Sequence, residues 1–184
     1  MKAALDACVL YPTVLREILI GAAERGLFAP VWSARIMAEW QHAAGRLGPD
    51  QQAVAGAEIA LLRLAYPGAE APDDGTAAAG FDWPDPADRH VAEAALAAGA
   101  TIIVTANLRD FPRRVLAALG LSAVHPDAFL LDLHRRQPDA VAASVHAAHD
   151  KAVALGGATT LRDLMARARL PRLGKALAAG ADRD

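Results

Sequence analysis

Asp85-Pro86-Ala87-Asp88-Arg89-His90-Val91-Ala92-Glu93-Ala94-Ala95-Leu96-Ala97-Ala98-Gly99, followed after Ala100 by Thr101-Ile102-Ile103-Val104-Thr105, decides the fold. Asp85 is a good N-cap, Pro86 suits the first helical position and Gly99 suits the end, so a helix is predicted through about Ala98. The run that follows is short, β-branched and apolar, the pattern of a strand buried on both faces of a parallel sheet. The same alternation extends in both directions. Residues 2–6 read as a strand, and a helix follows from Thr13 to about Arg25, with Val14, Leu15, Ile18, Leu19 and Ala22 at helical spacing and Gly26 at its end. Ser33 caps a further helix that carries Ile36, Met37 and Trp40 on one face. Gly45 and Gly48-Pro49 break that helix, and another runs to about Leu64. Residues 66–84 read as a loop rich in Gly, Pro and Asp, with room for one short strand. A short helix from Pro112 to Gly120 leads into a strand at Leu121-Ser122-Ala123-Val124. Strands that alternate with helices predict an α/β sandwich.

From Pro126 onward the pattern is helical throughout. Leu130, Leu131, Leu133, Val141, Val145 and Ala148 keep the spacing, while Pro138, Gly156-Gly157 and Pro171 divide the segment into three or four helices. The expected organisation is a domain over residues 1–130 and a helical extension over residues 131–184.

Composition narrows the function classes. The chain has 184 residues, 54% of them hydrophobic, enough for a core rich in Ala. No apolar run approaches the roughly 18 residues that span a bilayer, so no membrane is expected. Asp6 interrupts the N-terminus too early for a signal peptide, and the single Cys8 excludes an internal disulfide framework. The expected location is the cytoplasm. Net charge is −2, divided as −6 over residues 1–150 and +4 over residues 151–184. An acidic body attracts phosphate backbones poorly unless cations or the basic tail offset it.

Four acidic positions stand out: Asp6, Glu39, Asp88 and the pair Asn107/Asp110. In a parallel sheet such scattered residues can meet, because ligands gather at the carboxyl ends of the strands. Each also has a plain structural reading. Asp6 follows a buried strand and can cap the next turn. Glu39 borders the apolar face of its helix, where either a cation or Arg35, four residues earlier, would serve as its partner. Asp85 reads as a cap, and Asp88, at the third helical position, suits the positive end of the helix with or without a ligand. In Val104-Thr105-Ala106-Asn107-Leu108-Arg109-Asp110-Phe111-Pro112 a buried strand exits into a hydroxyl, an amide and a carboxylate. Asn107 and Asp110 can cap the next helix or ligate a metal, and Arg109, Arg113 and Arg114 are candidate phosphate contacts. Carboxylates without His or Cys partners suit a hard cation, Mg²⁺ or Mn²⁺.

Taken in order, Leu-Asp6-Ala, Ala-Glu39-Trp, Asp85-Pro-Ala-Asp88-Arg-His-Val-Ala-Glu-Ala-Ala and Ile-Val-Thr105-Ala-Asn107-Leu-Arg-Asp110-Phe-Pro resemble the PIN domain, in particular its VapC-type toxin ribonuclease branch. The resemblance covers roughly residues 1–130 and is most specific over 84–112. It implies a three-layer α/β/α sandwich with a parallel sheet of about five strands. It also implies a site in which Asp6, Glu39 and Asp88 are the first three metal-binding acids and Thr105 positions a carboxylate or a water. The family's fourth acid falls where this chain has Asn107, with Asp110 three residues later, so the fourth ligand is split between the two. The implied activity is hydrolysis of RNA by a metal-dependent endoribonuclease, the toxin of a toxin–antitoxin pair. An antitoxin protein and a second copy of the chain are the implied protein partners.

Two other classes compete with that reading. One is a PIN-fold binding protein with an impaired metal site that acts through its C-terminal helices. The other is a small-molecule enzyme of Rossmann type, but no GxGxxG or GxxxxGK[ST] follows a strand. Cys8 stands where a DxD phosphatase pair would need its second acid, and it reads as a small buried residue. His146 and His149 are one helical turn apart without further ligands.

Overall fold

The computed structural model describes residues 1–157 and 160–181; the remainder of the expected 131–184 extension lies outside the described residues. Two compact units are present. The first comprises Met1–Tyr11 and Ala29–Val124, the second Pro12–Phe28 and the chain from His125.

The first unit is built on a parallel sheet of four strands, β1 (Lys2–Leu5), β2 (Ala29–Val31), β3 (Ile102–Val104) and β4 (Ser122–Val124), in the order β2-β1-β3-β4. The register pairs Ala4 with Val31 and with Ile103, and Ile103 with Ala123. Ala3, Ala4, Leu5, Ile103 and Val104 are fully buried, as the unbroken apolar runs require. The chain leaves β1 toward β2 on one side and returns to β3 on the other, so the strand order reverses between β1 and β3, the place where such sheets bind ligands. The helices of this unit are α1 (Ala7–Leu10), α3 (Ala34–Gly45), α4 (Pro49–Ala65), α5 (Arg89–Ala98) and α6 (Arg113–Ala118), with 3₁₀ turns at Pro86–Asp88 and Leu108–Asp110. Ser33 caps α3 by accepting from the Ile36 N–H at 3.2 Å, a contact whose loss typically costs about 1 kcal/mol. Gly99 ends α5 in the left-handed conformation at φ 67°, which spares a side chain the clash it would meet there. Helix α5 packs on β1, β2 and β3, and α6 packs on β4.

The sheet differs from the expectation of about five strands. Among the described residues four strands form, and a further line of pairing is reduced to an isolated parallel bridge between Trp32 and Glu70. Pro67 and Pro72 bracket that bridge and limit the backbone donors available there. After β4 the chain turns directly into a helix at Pro126. Strand β2 has no counterpart among the sequence-based expectations. Its middle residue is Pro30, and the strand lies at the sheet edge, where a missing N–H is tolerated.

The second unit is helical: α2 (Thr13–Glu24), α7 (Pro126–Arg136), α8 (Pro138–Ala154), α9 (Leu161–Arg167) and α10 (Pro171–Ala181). The breaks fall at Pro138, Gly156 and Pro171, as expected. Helices α2 and α8 approach closely at Gly21, where an added Cβ would lie 3.3 Å from the Ser144 Cβ. Lys151 pairs with Glu17 across the same contact at 2.6 Å. Phe28 and Phe129 meet edge to face, their centroids 5.0 Å apart. The buried Asp127 accepts from the Arg172 and Leu173 N–H groups at 3.1 and 3.0 Å, which satisfies the first turn of α10. Among the described residues, no helix is long and apolar enough to cross a membrane.

Candidate functional site

The sheet register places Asp6 and Thr105 one residue beyond β1 and β3. The ladder continues through them, with the Asp6 N–H donating to Val104 O at 3.2 Å and the Thr105 N–H to Val124 O at 3.1 Å. Both residues therefore sit at the carboxyl ends of neighbouring strands, at the reversal of strand order. Asp6 also occupies the N-cap position of α1, where its carbonyl accepts from the Val9 and Leu10 N–H groups. Its side chain caps nothing there. Instead Oδ2 accepts from Thr105 Oγ1 at 2.7 Å and from Cys8 Sγ at 3.0 Å. Both donors fall on the same oxygen, which holds the buried carboxylate in one orientation. Thr105 Oγ1 in turn accepts from the Asn107 N–H at 3.0 Å.

Cys8 is part of this network. Burial, reinforced by the Asp6 charge, pushes its thiol up to about 12. It stays a protonated donor rather than a nucleophile, a more specific role than the packing expected of it.

Asp88 closes the 3₁₀ turn at Pro86–Asp88 and precedes α5. The cap itself is Asp85, whose Oδ1 accepts from the Ala87 N–H at 2.8 Å. Asp88 makes no capping bond. Burial pushes its carboxyl up to about 6, and the charges of Asp6, Asp85, Asp110 and Glu39 push in the same direction. Asp88 is thus the point where the other acids are felt together.

Glu39 reaches this region from α3. Its Oε1 lies 3.2 Å from Arg35 Nε and 3.0 Å from His90 Nε2. Partial burial pulls the carboxyl up, but His90 and Arg35 outweigh it, and the group ends below its ordinary value. Arg35 also donates to Ala87 O at 3.0 Å, which ties α3 to the turn that carries Asp88. The intrahelical Arg35 partner expected from the spacing is present, while His90, 51 positions away along the chain, is a second partner that spacing does not reveal.

At the exit of β3, Asn107 Nδ2 donates to Asp110 Oδ2, and Asn107 Oδ1 accepts from Arg109 Nε at 3.0 Å. With a donor on one side and an acceptor on the other, the orientation of the amide is defined. Arg109 lies 3.7 Å from Asp110 Oδ1 and is largely exposed, and Arg113 is exposed at the start of α6.

The donor set, though not its present spacing, is of the kind that suits a hard divalent cation. Its donors are carboxylate oxygens, Asp88 lacks a capping partner, and burial together with its acidic neighbours raises the Asp88 carboxyl. Among the described residues, no three Asp, Glu, His or Cys side chains already converge as a closed ion cage.

Comparison with known proteins agrees with this geometry. A family model described as PIN domain matches residues 2–109, more than half of the chain. A Mycobacterium tuberculosis (strain ATCC 25618 / H37Rv) protein named "Putative ribonuclease VapC50" is 51% identical over 45 residues, 24% of this chain and 27% of that protein. The match thus spans about a quarter of the relative's length. No solved structure matches the chain.

Proposed function

The chain belongs to the PIN domain family, and from that premise we propose that it is a metal-dependent endoribonuclease, the toxin of a toxin–antitoxin pair. The observation that carries the reading is the placement of Asp6 and Thr105, joined by a hydrogen bond, at the carboxyl ends of β1 and β3, with Asp88 partly buried and subject to the charges of Asp6, Asp85, Asp110 and Glu39. Burial and like charge around Asp88 disfavour its ionised form, and a cation would relieve that. The ribonuclease name of the partly matching relative supports the same reading.

Asp6, Glu39, Asp88 and Asp110 would hold Mg²⁺ or Mn²⁺. Of the two candidates for the fourth corner, we assign the ligand to Asp110 and a supporting role to Asn107, whose amide is engaged by Asp110 on one side and Arg109 on the other. When bound, the ion lowers the pKa of its water and offsets charge on the phosphate undergoing attack. Thr105 and Cys8 fix one oxygen of Asp6 and keep the carboxylate oriented. Arg109 and Arg113, exposed beside the acids, would contact phosphates and offset the acidic body of the chain. An antitoxin protein and a second copy of the chain are the protein partners within this reading, and the cytoplasm is its setting.

The test is cleavage of a single-stranded RNA with Mn²⁺. Asp6→Asn and Asp88→Asn are each expected to lower the rate by at least about 100-fold, in line with losing a residue that holds a catalytic group, while far-UV circular dichroism stays unchanged. Equal rates in the variants and the parent would overturn the assignment.

A further inference from the structure

His90 is 5% exposed, yet neither of its nitrogens completes a directed hydrogen bond. Asp73 Oδ2 is likewise buried without a donor. These three atoms lie together. His90 Nε2 is 3.0 Å from Glu39 Oε1, and His90 Nδ1 is 3.6 Å from Asp73 Oδ2. Buried polar groups that lack well-directed hydrogen bonds are costly, so a cluster of them beside an acid of the site calls for an explanation.

The surrounding loop is fastened in place. Glu93, buried one turn beyond His90 on α5, accepts from the Ala78 N–H at 2.8 Å. Trp83 Nε1 donates to Ala78 O at 3.0 Å, and the Trp83 ring meets Phe111 edge to face. Gly75 lies so close that a Cβ there would come within 2.5 Å of Glu93 Oε2. At the other end, Arg63 pairs with Glu70 at 2.6 Å, and the backbone of Trp32 bonds Ala69 and Ala71. Residues 69–83 therefore carry Asp73 on an anchored segment, not on a free tip.

Building on the metal-site reading above, we propose that His90 is the positioning residue for Glu39: Asp73, on its anchored loop, sets the imidazole, and the imidazole sets the Glu39 carboxylate. The chain Asp73–His90–Glu39 joins the loop, α5 and α3. The imidazole lies between the two carboxylates, Nε2 toward Glu39 Oε1 and Nδ1 toward Asp73 Oδ2. Arg35 holds the same Glu39 oxygen from the exposed side. The opposite oxygen, Oε2, is the one this arrangement presents to a cation. Such partners behind a ligand commonly change metal affinity by about 10- to 100-fold.

The experiment is calorimetric titration of Mn²⁺ into the full chain and its variants. His90→Asn and His90→Gln are the informative pair, because a Gln amide places N–H near the imidazole Nε2 position whereas an Asn amide falls short of it. Mn²⁺ affinity is expected to fall by about tenfold in His90→Asn, with most of it restored in His90→Gln. In the Glu39→Gln background, His90→Asn is expected to have no further effect, since its influence passes through Glu39. Unchanged affinity in His90→Asn, or an effect that adds in full to that of Glu39→Gln, overturns the positioning role. Equal losses in the Gln and Asn variants that follow a fall in thermal stability assign His90 to packing, and overturn it too. If the parent chain takes up no Mn²⁺ at millimolar concentration, the metal reading itself falls and this assignment with it. Binding by the parent and both His90 variants alike removes only the positioning role.

Discussion

Asp127 in the helical unit and Asp88 just before α5 are both acids in a first helical turn, and their surroundings treat them in opposite ways. Asp127 is buried, but two backbone N–H groups at the start of α10 meet its oxygens. Asp88 is half-buried, has no capping bond and faces other carboxylates, which leaves its carboxyl at about 6. Burial alone does not mark a functional acid. What separates the two is whether the protein supplies donors or more negative charge. The first arrangement stabilises a fold, and the second stores repulsion that a cation can release.

Substitutions that exchange the consequences can break this comparison. The largest effect expected is at Asp127. Replacement by Ala leaves two N–H groups at the start of α10 unmet and should cost about 2 kcal/mol in urea unfolding, while Mn²⁺ affinity stays within about twofold of the parent. A destabilisation below about 0.5 kcal/mol would place Asp127 among the dispensable acids.

Thr105→Val removes the hydroxyl that holds Asp6 Oδ2 and leaves the backbone of the strand end unaltered. Mn²⁺ affinity should fall by about tenfold, as for other groups that orient a ligand. Titration of the variant decides this, and parent-like affinity would show that Cys8 alone suffices.

The smallest effect, and the most diagnostic in sign, concerns Asp88. Its folded-state pKa of about 6 lies above its ordinary value of 3.8. The folded protein therefore holds this proton more tightly than the unfolded chain does. The stabilising contribution is complete below about pH 4 and is lost as pH rises through 6. Without metal, Asp88→Asn should raise the Tm at pH 8, and the gain should vanish near pH 4. Solvent screens a half-exposed group, so a shift of about 2 °C is expected. A Tm lower than the parent's at pH 8 would contradict stored repulsion at this site.

Much of the fold was legible because local chemistry and burial agree. Asp85, Pro86 and Gly99 bound their helical segment, Ser33 caps α3, and Ile102–Val104 forms the buried strand its side chains demand. Strand β2 was not legible. Three residues centred on a proline carry no strand signal, and only the edge position beside β1 makes them one. The site divides along the same line. The candidates Asp6, Asp88, Thr105, Asn107 and Asp110 could be picked out by residue type and position near strand ends or helix starts, and Glu39 by its place at the border of an apolar helix face. Asp73 and His90 could not, because an acid in a polar loop and a histidine on a helix carry no signal until the loop is folded back.

By itself, then, the sequence determined the strands and helices of the alternating region apart from β2, and that Asp6 and Asp88 stand at element ends. These follow from caps, breakers and hydrophobic period, forces that act within a few residues. Only the tertiary structure decided that Asp6 and Thr105 share a hydrogen bond across 99 positions, that Glu39 meets His90, and that Asp127 has donors while Asp88 has rivals. The charge state of a carboxylate depends on what approaches within a few ångströms, and in a parallel sheet those neighbours come from distant parts of the chain.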